Sequence, residues 1–523
     1  EFTQEEVVAR EGAQNAMDAG RKLKGVTEIE FRSLQISGEN KTRLIELLQL
    51  KELLGPRLAS FEQNPRQAHF VSNARKALHD EQLTALLIRD KKTCGLGGAF
   101  NKYEKEDHFA RLVCALNLDD KADGETNSGG SFGLGKTAYA KSSLINTVLY
   151  HSTFEPTERS NFANRRLMVS GIYPRHSHDG KDYGGFAYFG KKDPANPKQA
   201  IPFENEDAKD FWQKITSLFN IDTMRSDNEH GTDILIFMSS VDIEQIKTAT
   251  EDYYFPALID GQVSIKFYDQ DGQPSFPNPL GRKDLDQFVN LMKDAKKGAE
   301  ENRERKEVAT FQRFNGLKLG KFAFELAETD EASSPKNNCV AIMRGTGMII
   351  NYLKLGSEQY EPAVGAFFAD EEIWKFLTSS ENAAHSEWNE KSSRLQQDFP
   401  DFGKDLVSSL NSRLRNRFSN FQKNLQPDIT HSRSDSGFLA RLLSGALSGS
   451  SGDGPVPKGE ANPVSLSLTK STRDMLLSRW RLLITSNEHT PENPFKLKII
   501  PSISIAGDAK MVPIKHMDFS ISD

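Results

Sequence analysis

The sequence predicts an α+β protein. Its first domain reads as an α/β sandwich on a mixed, mainly antiparallel sheet, followed by a second α/β domain and a small β-rich C-terminal region. Three observations lead there. The first 243 residues run helix, strand, strand, loop, helix and four further strands, without the regularly interleaved helices of a doubly wound parallel sheet. At 523 residues the chain is too long for one ordinary core. Ser444–Gly459, SGALSGSSGDGPVPKG, is rich in Gly, Ser and Pro and marks a linker. The expected organisation is 1–243, then 244–443, a linker over 444–461, and a tail over 462–523.

Taken in order, EEVVAREGAQNAMDAGRKL predicts a helix with Gly20 near its end. VTEIEFRSL follows as a strand, with Val26, Ile29 and Phe31 in imperfect alternation. Residues 39–80 are polar and helix-prone and read as an insertion. Leu83–Asp90 is a short buried-strand pattern that runs directly into KKTCGLGG. GGSFGLGKTAYAKSS, Gly129–Ser143, is a glycine loop leading into a helix over AYAKSS. INTVLYHS, RLMVSGIY, GGFAYFG and TDILIFMS are the remaining strands of the first domain. From about residue 245 the pattern gives a hairpin around Asp271-Gly272, a charged helix over 284–307 and the strands LGKFAFELA and CVAIMRGTGMIINYL. Helical segments at 369–379 and 401–424 follow, and KLKIIPSISIAG and MDFSIS make the tail β-rich.

Acidic residues outnumber basic ones, 73 to 67, so a nucleic-acid surface would have to be a local patch. Three cysteines, Cys94, Cys114 and Cys339, show no paired metal spacing and fit a reducing compartment. No apolar run approaches the roughly 18–20 residues that span a membrane. The opening EFTQEE has no signal-peptide pattern and reads as a trimmed start, so a cytoplasmic setting is expected.

Gly130–Thr137 satisfies G-x-x-x-x-G-K-[ST], the phosphate-cradling P-loop. A P-loop follows a buried hydrophobic strand, whereas NLDDKADGETNSGG is acidic and polar, so that reading fails on context. Other elements say more together. Glu11, Asn15 and Asp18 fall at i, i+4 and i+7, on one face of the first helix. That face is either a solvated polar stripe or a site offering a carboxylate base, a metal-coordinating amide and a second carboxylate. Small Ala16, Ala19 and Gly20 would let it approach a ligand or a sheet closely. Asp90 ends a strand before Gly95, Gly97 and Gly98, where a carboxylate can accept the exocyclic amine of adenine; the alternative is an ordinary turn. HGTDILIF places Gly231 and Thr232 at the mouth of another strand.

E-x-x-x-N-A-x-D-A, an Asp followed by a Gly-x-Gly turn, a G-x-x-G-x-G loop and a late Gly-Thr occur in this order over residues 1–240. The set resembles the Bergerat nucleotide fold of the GHKL superfamily, which includes gyrase B, the heat-shock chaperone ATPases, histidine kinases and MutL. The resemblance implies a Mg²⁺-dependent ATPase. In it Glu11 would be the general base, Asn15 would bind Mg²⁺ and Asp18 would support the nucleotide site. Asp90 would read the adenine amine with help from Thr232, and the turn glycines Gly95 and Gly97 would lie against the base. Gly130, Gly133 and Gly135 would form a mobile lid over the phosphates, with Lys136 and Thr137 at its end. Lys136 would reach a phosphate on closure or stand as a solvated lysine at a helix start.

No phospho-acceptor histidine helix precedes the domain, which favours hydrolysis over kinase chemistry. The second domain would act as a transducer that supplies a basic residue to the γ-phosphate. Arg344 in AIMRGTGMII is the candidate, the alternative being a surface arginine at a strand end. Arg413, Arg415, Arg417 and Lys423, interleaved with Phe418 and Phe421, form either a DNA-contacting helix or a solvated amphipathic one. The expected role is an ATP-gated switch that dimerises when ATP-bound and controls a partner protein or DNA. Bacterial genome maintenance or phage defence is the expected setting. A chaperone-like ATPase and a scaffold that hydrolyses little are the alternatives.

Overall fold

The computed structural model describes residues 2–114 except 22 and 24, and four strands after residue 463. Between these it describes residues 132–424 except 197–198, 298–300, 304, 329–333, 346, 358–359 and 383–384. Residues 1–426 form one compact unit of mixed α/β structure, and residues 427–523 form a second.

The chain opens with helix α1 (Gln4–Gly20). Its start is set by a capping box: Glu6 N–H donates to Thr3 Oγ1 and Thr3 N–H donates to the Glu6 carboxylate. Strand β1 (Thr27–Ser37) follows. Gly20 lets the helix lie on this strand, because a Cβ there would stand 2.1 Å from Thr27 Oγ1.

Four helices then precede β2 (Gln82–Lys91): α2 (Gly38–Leu47), α3 (Leu50–Leu53), α4 (Gly55–Phe61) and α5 (Ala68–His79). The helices expected over 39–80 are thus present, and they pack on the sheet. Leu44, Leu58, Phe61 and Val71 are buried against Leu34, Leu83 and Leu87 of the sheet.

Helix α6 (Phe132–Lys141) leads to β3 (Thr147–Thr153) and β4 (Arg165–Ile172). Two small hairpins, β5 (His176–His178) with β6 (Lys181–Tyr183) and β8 (Lys191–Lys192) with β9 (Ala200–Ile201), flank β7 (Phe186–Phe189). The chain continues through β10 (Phe203–Glu204), α7 (Asn205–Leu218), β11 (Gly231–Phe237) and α8 (Ile243–Ile259). It then adds the hairpin β12 (Val263–Tyr268) and β13 (Pro274–Ser275).

The strand order is β10-β4-β3-β11-β2-β1-β12-β13, with β7 also on β4. All pairs along it are antiparallel except β1 with β12. The period-2 burial of the strands splits two apolar faces. One packs on α1, α6 and α8 through residues such as Phe31, Ile88 and Ile234. The other packs on α2–α5 and α7 through Leu87, Leu149 and Leu235.

Helix α9 (Lys283–Lys297) precedes a second sheet. Its strands are β14 (Glu301–Arg303), β15 (Lys306–Thr310), β16 (Gly320–Leu326), β17 (Cys339–Met343), β18 (Ile349–Lys354) and β19 (Ala363–Ala369). They are ordered β14-β15-β16-β19-β17-β18, and β17 with β19 is the parallel pair. Helices α10 (Trp374–Ser380), α11 (Ser393–Asp398) and α12 (Gly403–Asn424) complete the unit.

The interleaved aromatics of α12 are core residues. Phe418 stands edge-on to Phe324 at 5.0 Å, and Phe421 is likewise buried. Arg413 donates to the Gln312 carbonyl and Arg417 to Glu307. The aromatic half of that pattern is explained by packing, and Arg413 and Arg417 make intramolecular contacts.

Several expectations are revised. The first sheet does not stop at residue 243: β12 and β13 extend it to Ser275, and one apolar core runs from α1 through Phe267 to α12. The charged helix expected over 284–307 ends at Lys297, and Glu301–Arg303 and Lys306–Thr310 are strands. The linker over 444–461 lies outside the described residues. In the second unit, β20 (Val464–Lys470) pairs with β21 (Trp480–Ser486), and β22 (Ser502–Ser504) pairs with β23 (Met511–Pro513). Among the described residues no helix is long and apolar enough to cross a membrane.

Candidate active site

Glu11 sits two turns into α1 and is 8% exposed. No described group donates a hydrogen bond to its carboxylate. Burial raises its pKa, opposed by the nearby charges of His385 and Arg10, while Asp18 adds to the rise. One turn on, Asn15 is exposed and donates from Nδ2 to the Tyr139 hydroxyl of α6 at 3.1 Å. Its Oδ1 has no described donor and so stands ready to accept or to coordinate. Asp18, a further turn along, is exposed and meets Arg21 at 3.2 Å. Partial desolvation by the surrounding protein raises the Asp18 carboxyl as well, and Arg21 lowers it.

The end of β2 is tied to the same helix. Cys94 N–H donates to the Ala19 carbonyl, so the turn after Asp90 is fastened to the last turn of α1. Asp90 is half-buried, and its Oδ1 accepts from Thr232 N–H at 3.0 Å and from the Thr93 hydroxyl. Burial raises its pKa; Arg225 and these two donors lower it. Oδ2 is free of described partners.

Ser152 knits the neighbouring strand ends together, accepting from Leu96 N–H and donating to the Gly231 carbonyl, both at 2.8 Å. Gly95 needs its identity: its φ is +63°, and a Cβ would stand 2.2 Å from the Thr153 carbonyl oxygen. Gly97 carries no such constraint, with Phe154 at an ordinary 3.4 Å. The second residue that demands glycine is Gly98, at φ +86°.

The phosphate loop is revised. Gly133, Gly135, Lys136 and Thr137 lie within α6, which begins at Phe132, rather than in a loop before a helix. Gly130 lies outside the described residues.

Arg344 is buried at the end of β17 and paired bidentately with Glu381, Nε to Oε1 and Nη2 to Oε2. It is neither a surface arginine nor a free phosphate ligand as it stands. The pair lies near α1, since His385, bonded to Glu381 through Nδ1, accepts from Arg10 of α1 at its carbonyl. Arg10 fastens α1 to the second sheet, donating to the carbonyls of Ile349, Ile350 and His385.

Sequence reasoning missed Arg10, Gln14, Tyr139, Ser152, Arg225, Glu381 and His385. A signal existed for one pair: Glu381 and His385 stand at i and i+4. Tyr139 and Ser152 acquire their places only through contacts more than fifty residues apart in sequence. Among the described residues no cluster of three His, Cys, Asp or Glu side chains could hold a metal. No protein-family model matches the chain, and a search of the curated proteins finds no match.

Proposed function

We propose that this chain binds and hydrolyses ATP with Mg²⁺ in a Bergerat-type site between α1, α6 and the ends of β2 and β11. One observation carries the reading: a buried, unpartnered carboxylate, Glu11, lies one helical turn from a free amide oxygen on Asn15. Both belong to a helix fastened to the Asp90 turn. The reading uses the α1, α6 and α8 face of the mainly antiparallel sheet, and α2–α5 with α7 cover the opposite face.

In the proposed reaction Glu11 takes a proton from a water whose oxygen bonds to the γ-phosphorus. The bond from that phosphorus to the β–γ bridging oxygen breaks, leaving ADP and phosphate. Asn15 Oδ1 would hold Mg²⁺, which would neutralise phosphate charge, and a metal held this way needs no cluster of protein carboxylates. Asp90 Oδ2 accepts the adenine amine, and Thr232 holds Oδ1 in place. The start of α6 would lie toward the phosphates, and nucleotide binding would promote dimerisation and control of a partner protein or DNA. We place the protein in the cytoplasm.

Asp90→Asn tests the base-reading half. The new amide offers a donor where adenine also offers one, so ATP affinity should fall about 10- to 100-fold. The same donor suits the O6 acceptor of guanine, so the ATP-over-GTP preference should shrink or reverse. Titration of both nucleotides by calorimetry reads this out, and unchanged ATP affinity and selectivity would remove Asp90 from the site.

A further inference from the structure

Helix α6 is fastened to α1 at two levels. In the first turn of α1, Gln4 Nε2 donates to the Ala138 carbonyl at 3.0 Å and to the Ser142 hydroxyl at 2.8 Å. Three turns further along, Asn15 Nδ2 donates to the Tyr139 hydroxyl at 3.1 Å. Gln4, Glu11 and Asn15 follow the i, i+7, i+11 spacing of a single helix face. The two fastenings therefore lie on the stripe that carries the proposed base and the proposed metal ligand.

Tyr139 is a fixed point in this contact. Its side chain is fully buried, and Ala138 and Ala140 beside it are at most 4% exposed. The ring belongs to the same apolar core as Val8 and Ile88. Just past α6, Ser143 Oγ donates to the Phe237 carbonyl at 2.6 Å and Leu144 N–H donates to the Met238 carbonyl at 2.9 Å. These bonds tie the helix end to the end of β11. Asn15 is the opposite case: it is exposed, and the last torsion of an asparagine is broad, so packing does little to hold its amide.

An amide has two unlike ends. Its oxygen can coordinate a hard cation, and its NH2 group, a donor, cannot. Donation from Nδ2 to the Tyr139 hydroxyl occupies the nitrogen end and leaves Oδ1 to the other side. The buried hydroxyl thus selects the end of the amide that the site presents.

We propose that Tyr139 is a positioning residue for the metal ligand: its hydroxyl holds the Asn15 amide with Oδ1 outward, so that a cation meets oxygen rather than NH2. The inference rests on the reading of Asn15 as the Mg²⁺ ligand. It gives α6 a second role beside facing the phosphates. Tyr139 lies two turns from Phe132, where α6 begins, so a shift of that helix on nucleotide binding would move the group that sets the Asn15 amide.

Tyr139→Phe is the test, because phenylalanine keeps the buried ring and removes only the hydroxyl. Binding of a fluorescent ATP analogue is followed against free Mg²⁺, a readout that needs no turnover. The Mg²⁺ concentration at half-effect should rise about 10-fold, as for the loss of other groups that orient a metal ligand. Binding of the analogue in EDTA should stay within about twofold of the parent. Turnover should return to within about twofold of the parent at saturating Mg²⁺. An unmoved Mg²⁺ dependence would overturn the proposal. So would a loss of binding in EDTA as large as the loss with Mg²⁺, which is what a displaced α6 would give.

The Asn15→Asp background separates orientation from packing. A carboxylate presents oxygen at both ends, so adding Tyr139→Phe there should move the half-effect concentration by less than about twofold. An equal shift in both backgrounds would assign Tyr139 to packing alone and overturn the proposal. Asn15→Ala run alongside tells the failures apart. An unmoved Mg²⁺ dependence in that variant overturns the metal-ligand reading itself. A moved dependence there, with an unmoved one in Tyr139→Phe, overturns only the role of Tyr139.

Discussion

Glu11→Gln should lower ATP turnover by about 10²- to 10⁴-fold while leaving nucleotide binding in place. That range corresponds to about 3–5 kcal/mol of barrier, the largest effect expected of a single side chain in this site. Glutamine fills the same space on α1, so the difference reports the proton acceptor. The pH dependence follows from burial. The Glu11 carboxyl is raised above 4.5, so the acid limb of kcat should lie above that value, with turnover lost as the pH falls through it.

The stability change has the opposite sign. A carboxyl whose folded pKa is raised binds more protons when folded than when unfolded, so its ionisation destabilises the fold as the pH rises past the unfolded value. Glu11→Gln removes that cost, and its urea midpoint at pH 7 should move up. A variant that is inactive and more stable than the parent cannot be dismissed as misfolded. Turnover at the parental rate would end the assignment.

How much of this was legible in the sequence depends on the distance over which each feature is decided. The polar face of α1 and the strand ending at Asp90 are local patterns, and each lies where its periodicity places it. Gly231-Thr232 is likewise local, and Thr232 N–H does meet Asp90. The extent of the first sheet was not legible, because β12 reads as an ordinary strand and only its parallel pairing with β1 assigns it to that sheet.

The 39–80 segment looks polar because its helices are amphipathic. Its Leu44, Leu58 and Phe61 are invisible as core until the sheet face beneath them is known. Arg344 reads as a strand-end arginine; nothing local shows that Glu381, thirty-seven residues on, claims it. The glycine loop misled in another way. A Gly-rich string suggests a loop, yet from Phe132 the backbone is helical, a choice that tertiary packing of Tyr139 and Ala140 can impose against the propensity of two glycines.

Asp233→Asn should destabilise the protein by about 3–5 kcal/mol, the cost of removing one partner from a buried ion cluster. Asp233 is fully buried on β11 and accepts from Arg225 Nε and Nη2 at 2.9 Å and from His151 Nδ1–H at 2.8 Å. Arg89 stands 3.5 Å away, and Arg89, Arg165 and Arg225 are all at most 4% exposed. Without the carboxylate, buried guanidinium charge is left uncompensated. The consequence reaches the candidate site, because Arg225 also donates to the carbonyls of Asp90 and Thr232. ATP affinity should therefore fall with stability, although Asp233 lies on the sheet face opposite α1.

The same cluster makes the fold acid-sensitive in a defined order. His151 is stacked on Trp212 at 4.7 Å, and burial holds its pKa down at about 4, from 6.5, against the pull of Asp233. A histidine lowered in this way binds fewer protons folded than unfolded. Its contribution is complete above 6.5 and is lost as the pH falls toward 4. Burial pushes the Asp233 carboxyl up, but Arg225, Arg89 and His151 outweigh it and leave it well below 3.8, so its own contribution is lost only below that value. Urea midpoints at pH 7, 5.5 and 4.5 should fall in that order for the parent. Asp233→Asn should start lower at pH 7, and a loss there below about 1 kcal/mol would mean that water or a relaxed arginine satisfies the cluster without the carboxylate.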